Sequence, residues 1–589
     1  MIERMTKYSF ILLSADKEKF IDRLTALGVV DITRSAKPVD AASAAILAEA
    51  TGIKKQMSNL ESGTSDELVK IREELAAESR KYAAALPWGD FSTAAIADLR
   101  ARGLDIHFHQ IAAKRFSPEW ESEVPLQVIS QDNGSVYFTT VLSDGEQLPA
   151  ALAACEVPVP EASAAEVEGR VKALVAEESA CMARIRESRA SEMPRLKAEY
   201  DAVMGRLDHY LAGVAGDSAA EDALTLFVGF APVSEDERLE KEFDKMDAFC
   251  LKEQSRPEDK PPIKLKNDKF AREFERITGM YGMPVYDEAD PTPIISIFFL
   301  LFFAMCMGDA GYGLILILAG IAIGKGWLKI GMFNGLGRMI TIVGVATTIV
   351  GVVLGTAFGI DLRTAAWVPE WLHKCMLPAK FPGTTYDYGM VLSIIIGIIH
   401  LCLAMTVKAV MYTKRFGFKE AVSAWGWLIL IVGGIATALL TLGGVFSPGV
   451  TRMAIIIVGG VSFLGIFLFN KPGRNPLINI GAGLWDTYQT ATGLLGDTLS
   501  YIRLYALGLA GGMLGGAFNT LGLMVLGDGG IGKWIAFVLI LIIGHTLNLL
   551  MCCLGAFVHP LRLNFLEYFK NSGYEGMGAK YNPLKNNNN

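Results

Sequence analysis

Asp497-Thr-Leu-Ser-Tyr-Ile-Arg503-Leu-Tyr-Ala-Leu-Gly-Leu-Ala-Gly511 lies inside a mostly apolar run that covers residues 485–526. An arginine stays charged because its pKa exceeds about 12. Setting one at membrane depth costs at least about 2.5–3.5 kcal/mol on insertion scales. Apolar sequence continues well beyond Arg503, which argues against a side chain that snorkels to the headgroups from a helix end. A charge is kept at such a place where a pathway or a partner carboxylate needs it. The run is also too long to cross a bilayer upright. At about 1.5 Å per residue it measures roughly 60 Å, twice the hydrocarbon thickness, so it must tilt, break or project.

Its polar positions are ordered. Asp486, Gln489, Gly493, Asp497, Ser500 and Arg503 follow steps of three and four, one stripe down one face of a helix. Beyond them Gly508, Gly512 and Gly516 form a small-residue face with Gly511 and Gly515 beside it, where another helix can approach closely. The last apolar run carries a matching seam of His545, Asn548, Cys552, Gly555, His559 and Arg562. Carboxylates, imidazoles and hydroxyls in two such seams can relay protons or line water-filled half-channels. A buried network that only packs helices is the competing reading, and intrachain packing competes for the glycines.

Working outward, charge splits the chain. Of its 55 Lys+Arg and 62 Asp+Glu, 19 and 10 lie from Pro291 onward, leaving 36 and 52 before it. Residues 1–290 are acidic and water-soluble; the remainder is apolar with sparse, mainly basic charge. At 589 residues the chain is too long for one domain. The first residues do not read as a secretory signal, so residues 1–290 are expected in the cytoplasm. Eight cysteines without a Cys-x-x-Cys pair read as reduced packing thiols.

In the soluble half, Lys7–Leu13 alternates like a strand. A helix follows from Asp16 to Gly28, and then a second strand over Val29–Thr33. Residues 40–85 and 164–212, rich in Ala, Glu, Lys and Leu, predict two long helices pairing as an antiparallel arm. Between them, 128–141 reads as a hairpin turning at Asn133-Gly134, and Leu224–Phe230 as a later strand. His107 and His109 share one face of a strand, and packing or surface histidines outweigh a metal pair there. No P-loop, dinucleotide fingerprint or HExxH zinc motif occurs. The fold class expected is an elongated α+β N-terminal half with a helical arm, then an all-α polytopic membrane half over 291–589.

Apolar runs lie at about 294–323, 338–358, 388–411, 424–446, 452–469, 485–526 and 533–560. The first is broken by Gly308-Asp-Ala-Gly-Tyr-Gly313. If it crosses once, Lys325, Lys329, Arg338, Lys408, Lys414, Arg415 and Lys419 fall outside, against the positive-inside rule. If it crosses twice, these return to the cytoplasm with Lys471, Arg474, Lys570 and Lys580. About eight spans with both termini inside are therefore expected, two of them long and tilted. Each hairpin limb, at about 15 residues, is short of the roughly 20 that a full crossing needs.

Three blocks carry a family resemblance. The first runs from Pro261-Pro-Ile-Lys-Leu-Lys-Asn267 through Tyr281-Gly-Met-Pro-Val-Tyr286 and Asp290-Pro-Thr-Pro293 to Gly308–Gly313. The second is Ser500–Ala510. The third runs from Gly544-His-Thr-Leu-Asn548 through Ala556-Phe-Val-His-Pro-Leu-Arg-Leu563 to Glu567-Tyr-Phe. In these the chain resembles subunit I of prokaryotic V/A-type ATPases, the counterpart of subunit a in vacuolar ATPases.

The resemblance implies a membrane stator of a rotary motor, coupling H⁺ or Na⁺ translocation to ATP turnover on other subunits. It implies no catalysis, cofactor, metal or nucleic acid for this chain. Arg503 would separate two offset half-channels and face the carboxylates of a rotating proteolipid ring, with Arg562 in support. The ion path would include Asp486, Gln489, Asp497, Ser500, His545, Asn548, His559 and Glu567. Gly508, Gly511, Gly512 and Gly515 would face the ring. The implied partners are that ring, peripheral-stalk E/G-type subunits, a central-stalk C/d-type subunit and the lipid of a prokaryotic plasma membrane.

The sequence departs from the family pattern at several places. Gly511 stands where eukaryotic members have a histidine, Cys552 where they have an acid, Pro560 at a common serine and Asn564 at a common glutamine. A secondary transporter with a regulatory domain is the alternative; it predicts paired membrane repeats, and none is evident.

Overall fold

The computed structural model describes the chain apart from residues 36, 63–64, 118–119, 121–123, 133, 144–145, 147, 329–334, 367, 384, 469–475, 528–529 and 586–589. It divides into two compact units. One comprises Met1–Phe20, Leu27–Thr33 and Asp217–Leu584; the other comprises Ile21–Ala26, Arg34–Gly216 and Lys585–Asn589.

The first unit contains an α+β lobe. Strand β1 (Met5–Leu13) runs antiparallel between β8 (Leu224–Pro232) and β9 (Phe249–Gln254), and β8 also pairs with β2 (Asp31–Ile32) and β7 (Asp217–Ala219). The alternation read at Lys7–Leu13 places Tyr8, Phe10 and Leu12 inside, with Ile11 and Leu13 exposed. Asp236 is buried beneath this sheet and accepts from the Thr6 and Tyr8 hydroxyls, both at 2.9 Å. Helix α1 (Lys17–Leu27) is preceded by a short 3₁₀ turn, Ser14–Asp16, and Gly28 leaves it at φ +68°.

The second unit holds a helical arm and a smaller sheet. The 40–85 region forms two helices, α2 (Ala41–Ser62) and α3 (Asp66–Ala85), rather than the single long helix expected. Ser65 starts the second piece by accepting from Leu68 N at 3.1 Å. Both pieces pack on the 51-residue α4 (Ala164–Val214). The pairings Glu49–Arg206, Glu67–Arg184 and Arg72–Glu178 run in opposite chain directions, so the arm is antiparallel.

The sheet order in this unit is β4-β5-β3-β6, with β3 (Leu104–Ala112), β4 (Leu126–Asp132), β5 (Ser135–Ser143) and β6 (Glu156–Val157). Gly134 turns the hairpin at φ +85°; Asn133, expected to share the turn, lies outside the described residues. His109 is fully buried on Phe138 and bonded to Thr140, while His107 meets Glu156 at 2.7 Å. Neither belongs to a metal-holding cluster of described residues.

From Thr292 onward the chain is mainly helical and apolar, but not all-α as expected: Thr356–Ala357 and Ile360–Asp361 pair as a short antiparallel hairpin that turns through Phe358-Gly359. Six helices are long and apolar enough to cross a membrane: 337–354, 388–416, 418–442, 448–467, 478–526 and 531–572. Two shorter apolar helices, α7 (Thr292–Met307) and α8 (Ala310–Gly324), precede them. These fit a multi-pass membrane protein. The remaining helices are α9 (Gly337–Leu354), α10 (Tyr388–Phe416), α11 (Phe418–Leu442), α12 (Pro448–Phe463), α13 (Pro476–Leu526) and α14 (Ile531–Arg562). Helix α14 runs on through a π-helical turn, Leu563–Tyr568. Proline cannot donate a backbone hydrogen bond, and this wider turn begins three residues after Pro560.

The chain doubles back between α7 and α8. Gly308 adopts φ +56°, and Asp309 caps α8 by accepting from Gly311 N and Tyr312 N. Thr278 bonds Thr292 at the start of α7, and Glu273 pairs with Arg338 at the start of α9. Both ends of the excursion thus return to the lobe helix Lys269–Tyr281. The two limbs do not pack along each other: α7 packs on α9, α13 and α14, and α8 packs along α9. Beyond α14 the tail rejoins the lobe, with Ile263 N bonded to Ala579 O and Leu584 N to Val30 O.

Candidate functional site

Helices α13 and α14 carry the site. They lie antiparallel, so the polar stripe of one meets the seam of the other in reverse order. Asn519 Oδ1 lies 3.0 Å from His545 Nε2, and Asn548 Nδ2 donates to Gly511 O at 2.9 Å. Arg503 reaches the neighbourhood of His559 electrostatically, as does Arg562. Glu567 is buried beside Ser500 and Asp497. Asn571 and Lys570 close the series on Asp497 at 2.8 and 3.4 Å.

The expected residues therefore converge in two groups. His545 and Asn548 join Tyr312, whose hydroxyl lies 2.8 Å from each, in a network that ends on Asn519 and its bond to Phe358 O. Asp309 anchors the same corner: its carboxylate also accepts from Phe358 N and Gly359 N at 2.8 Å. Asp497, Ser500, Glu567, His559, Arg503 and Arg562 form the second group. Asp486 is half-buried nearer the start of α13 and lines neither cavity described below; Gln489 is exposed.

Arg503 is half-buried, Arg562 is exposed, and neither makes an ion pair or hydrogen bond among the described residues. Two cavities flank Arg503 along its helix. One, of about 250 Å³, is lined by Gln489, Gly493, Asp497, Lys408, Lys570 and Asn571. The other, of about 410 Å³, is lined by Tyr505, Gly508, Gly512, Gly516, Asp361 and Asp387, among others. The first wall ends at Asp497 and the second begins at Tyr505, a rise of about 12 Å. Arg503 lies between them and lines neither. The first cavity opens beside Lys570, at the end where the tail meets the lobe; the second sits at the opposite end, against the Gly308 turn.

A Cβ on Gly508 would lie 2.7 Å from Met305 O, on Gly511 2.6 Å from Cys552 Sγ, and on Gly515 3.2 Å from Asn548 Nδ2. Gly511 and Gly515 are buried against neighbouring segments of the chain, and Gly508 packs on α7 while also lining the 410 Å³ cavity. Around Gly512 nothing lies within 4 Å. Small residues permit close approach between helices.

Several residues here were not singled out from the sequence. Tyr312, Asn519, Phe358, Asp387 and Tyr505 come from segments far apart in the chain and share no periodicity. His400 is another: it is fully buried, stacked on Tyr568 and 3.0 Å from the Tyr501 hydroxyl. The one available signal was Asp309, an N-cap residue after a glycine between two apolar stretches.

The sequence model of the V-type ATPase 116kDa subunit family matches residues 228–326. The chain is 29% identical over 471 residues to the A-type ATP synthase subunit I of Methanocaldococcus jannaschii, covering 73% of this chain and 64% of that relative. It is 30% identical to the V-type ATP synthase subunit I of Borreliella burgdorferi over 51% of this chain and 50% of that one. To V-type ATP synthase subunit I 1 of Treponema pallidum it is 25% identical, over 85% and 81%. The chain thus spans about half to two-thirds of the length of the first two relatives. Helices and relatives together support a membrane subunit of a V/A-type ATPase. Within that class, the chain resembles subunit I.

Proposed function

We propose that this chain is the membrane stator of a rotary V/A-type ATPase, and that Arg503 separates two half-channels through which H⁺ or Na⁺ reaches a proteolipid ring. The observation that carries this reading is the place of Arg503: a permanently charged group between two cavities that lie on either side of it along one long helix, with no carboxylate of its own chain paired to it among the described residues. A ring carboxylate passing this point exchanges its ion on meeting the guanidinium, because an opposite charge within a few ångströms favours the ionised carboxylate. The ion leaves by one cavity and its successor arrives by the other. Asp497, Ser500, His559, Glu567 and Gln489 serve the cavity beside the tail. His545 and Asn548 stiffen the opposite end, and Arg562 adds positive potential near His559.

Topology supports the same reading. The tail and the N-terminal strands meet in one lobe, so the chain between them crosses an even number of times. Counting α7 and α8 as two crossings gives eight, with the lobe, the arm and the tail in the cytoplasm of a prokaryotic cell. The arm takes up torque through peripheral-stalk E/G-type subunits, the lobe meets a central-stalk C/d-type subunit, and ATP is turned over on other subunits.

The test is accessibility. In a cysteine-free background, Gly493→Cys is expected to react with a membrane-impermeant thiol reagent added on the tail side, and Gly512→Cys with reagent added on the other. Labelling of both from one side would contradict two separate half-channels.

A further inference from the structure

The cavity at the far end holds a carboxylate to which the reading above gives no role. Asp387 stands at the N-terminus of α10, yet its side chain makes no capping bond to its own helix. It turns instead to the Arg503 helix, where the Tyr505 hydroxyl donates to Oδ2. The Tyr505 ring is held in place by α10, since a Cβ on Gly389 would lie 3.0 Å from its Cδ2. Asp387 and Tyr505 both line the 410 Å³ cavity.

Two carboxylates line that cavity, and their charges are met differently. Asp361 Oδ1 accepts from Arg363 Nε at 2.9 Å and from Arg363 N at 3.0 Å, so a cation lies against it. Asp387 makes no ion pair among the described residues, and its side chain has the Tyr505 hydroxyl as its one hydrogen-bond partner there. A carboxylate offers about four acceptor positions, and one donor leaves the others directed at the cavity. Low-dielectric walls focus the field of such a charge into the cleft and raise the local concentration of cations there. Tyr505 lies two residues beyond Arg503 on the same helix, so the group that holds Asp387 is mechanically continuous with the proposed barrier.

We propose that Asp387, held by Tyr505, is the ion-exchanging carboxylate of the half-channel remote from the tail, and that it passes a monovalent cation, H⁺ or Na⁺, between the ring and the cavity. This rests on the half-channel reading of Arg503. Asp361, with its charge covered by Arg363, does not share the role.

The experiment uses the assembled complex reconstituted in liposomes, with ATP-driven uptake read in two arms, acidification and Na⁺ accumulation. Asp387→Asn is expected to slow uptake of the carried ion about tenfold, a barrier change of roughly 1.4 kcal/mol. Asp387→Glu should restore most of it, and Tyr505→Phe, which keeps the ring packed on Gly389, should slow uptake severalfold. Asp361→Asn should do less than Asp387→Asn. Uptake at the unsubstituted rate in Asp387→Asn would overturn the proposal; if that variant does not assemble, full uptake in Tyr505→Phe overturns it. Arg503→Ala in the same preparation separates the two failures. Lost uptake there with full uptake in Asp387→Asn sinks this inference alone, whereas full uptake in Arg503→Ala sinks the half-channel reading beneath it.

Discussion

Asn571 Nδ2 donates to Asp497 Oδ2 at 2.8 Å, and this bond fastens the Arg503 helix to the end of the last membrane helix. Asp497 is 14% exposed, so a hydrogen bond to its charge is worth about 1.5–3 kcal/mol. Lys570, 61% exposed, adds a screened ion pair to the same carboxylate. Asn571→Ala is expected to lower thermal stability of the purified chain in detergent by about 1.5–3 kcal/mol, and Lys570→Ala by about 0–1 kcal/mol. Equal losses would contradict the claim that the amide bond holds the helices more strongly than the ion pair.

Helices α8 and α9 meet through glycine. A Cβ on Gly351 would lie 2.2 Å from Ala310 N, and one on Gly313 2.6 Å from Thr348 N. Backbone cannot swing aside as a flexible side chain can, so Gly351→Ala is expected to destabilise by at least about 1–3 kcal/mol. The check is thermal unfolding of the detergent-solubilised chain against a Gly434→Ala control, where nothing lies within 4 Å of the added carbon. A control that loses as much as Gly351→Ala would remove the packing explanation.

Gly512 differs from its neighbours in having space around it. Gly512→Leu should leave assembly and unfolding temperature unchanged while filling part of the 410 Å³ cavity. ATP-driven ion uptake by the reconstituted complex is expected to fall severalfold. Full uptake with a leucine in that position would mean the cavity is not on the ion path.

In the lobe, Lys7 donates to Asp259 at 2.7 Å, and this bond holds the Asp259 carboxyl below the usual carboxylate range. A depressed folded-state pKa means the stabilisation is present above about pH 4, the ordinary carboxylate value, and is lost as pH falls through the lower folded value. Lys7→Met should weaken that dependence, the Arg256 backbone N–H remaining as the second donor to the carboxylate. Amide exchange along β1, followed as pH is lowered from neutral, reads it; an identical pH response in both chains would disprove the link.

Much of this architecture was legible because it depends on one helix or strand at a time. The alternation Tyr8, Phe10, Leu12 needs only the pleat of a strand, and the stripe through Asp497, Ser500 and Arg503 only the pitch of a helix. The antiparallel arm followed from composition, but the fresh helix start at Ser65 did not, because one helical pattern spans both pieces. The contacts that complete the site are tertiary. Tyr312 meets His545 and Asn548 across more than two hundred residues of chain, and Tyr505 meets Asp387 across more than a hundred. The glycines read equally well as an open face or a packed one. Tertiary packing sets Gly508, Gly511 and Gly515 close to neighbouring segments and leaves space at Gly512.

The account turns on one charge, and the direct measurement is ATP-driven ion uptake by the assembled complex with Arg503 replaced. Arg503→Ala and Arg503→Gln are expected to abolish uptake while the complex remains intact by native electrophoresis and the unfolding temperature is unchanged, because Arg503 makes no ion pair or hydrogen bond among the described residues whose loss would weaken the fold. Uptake at the unsubstituted rate in either variant would contradict the claim that Arg503 divides the two half-channels.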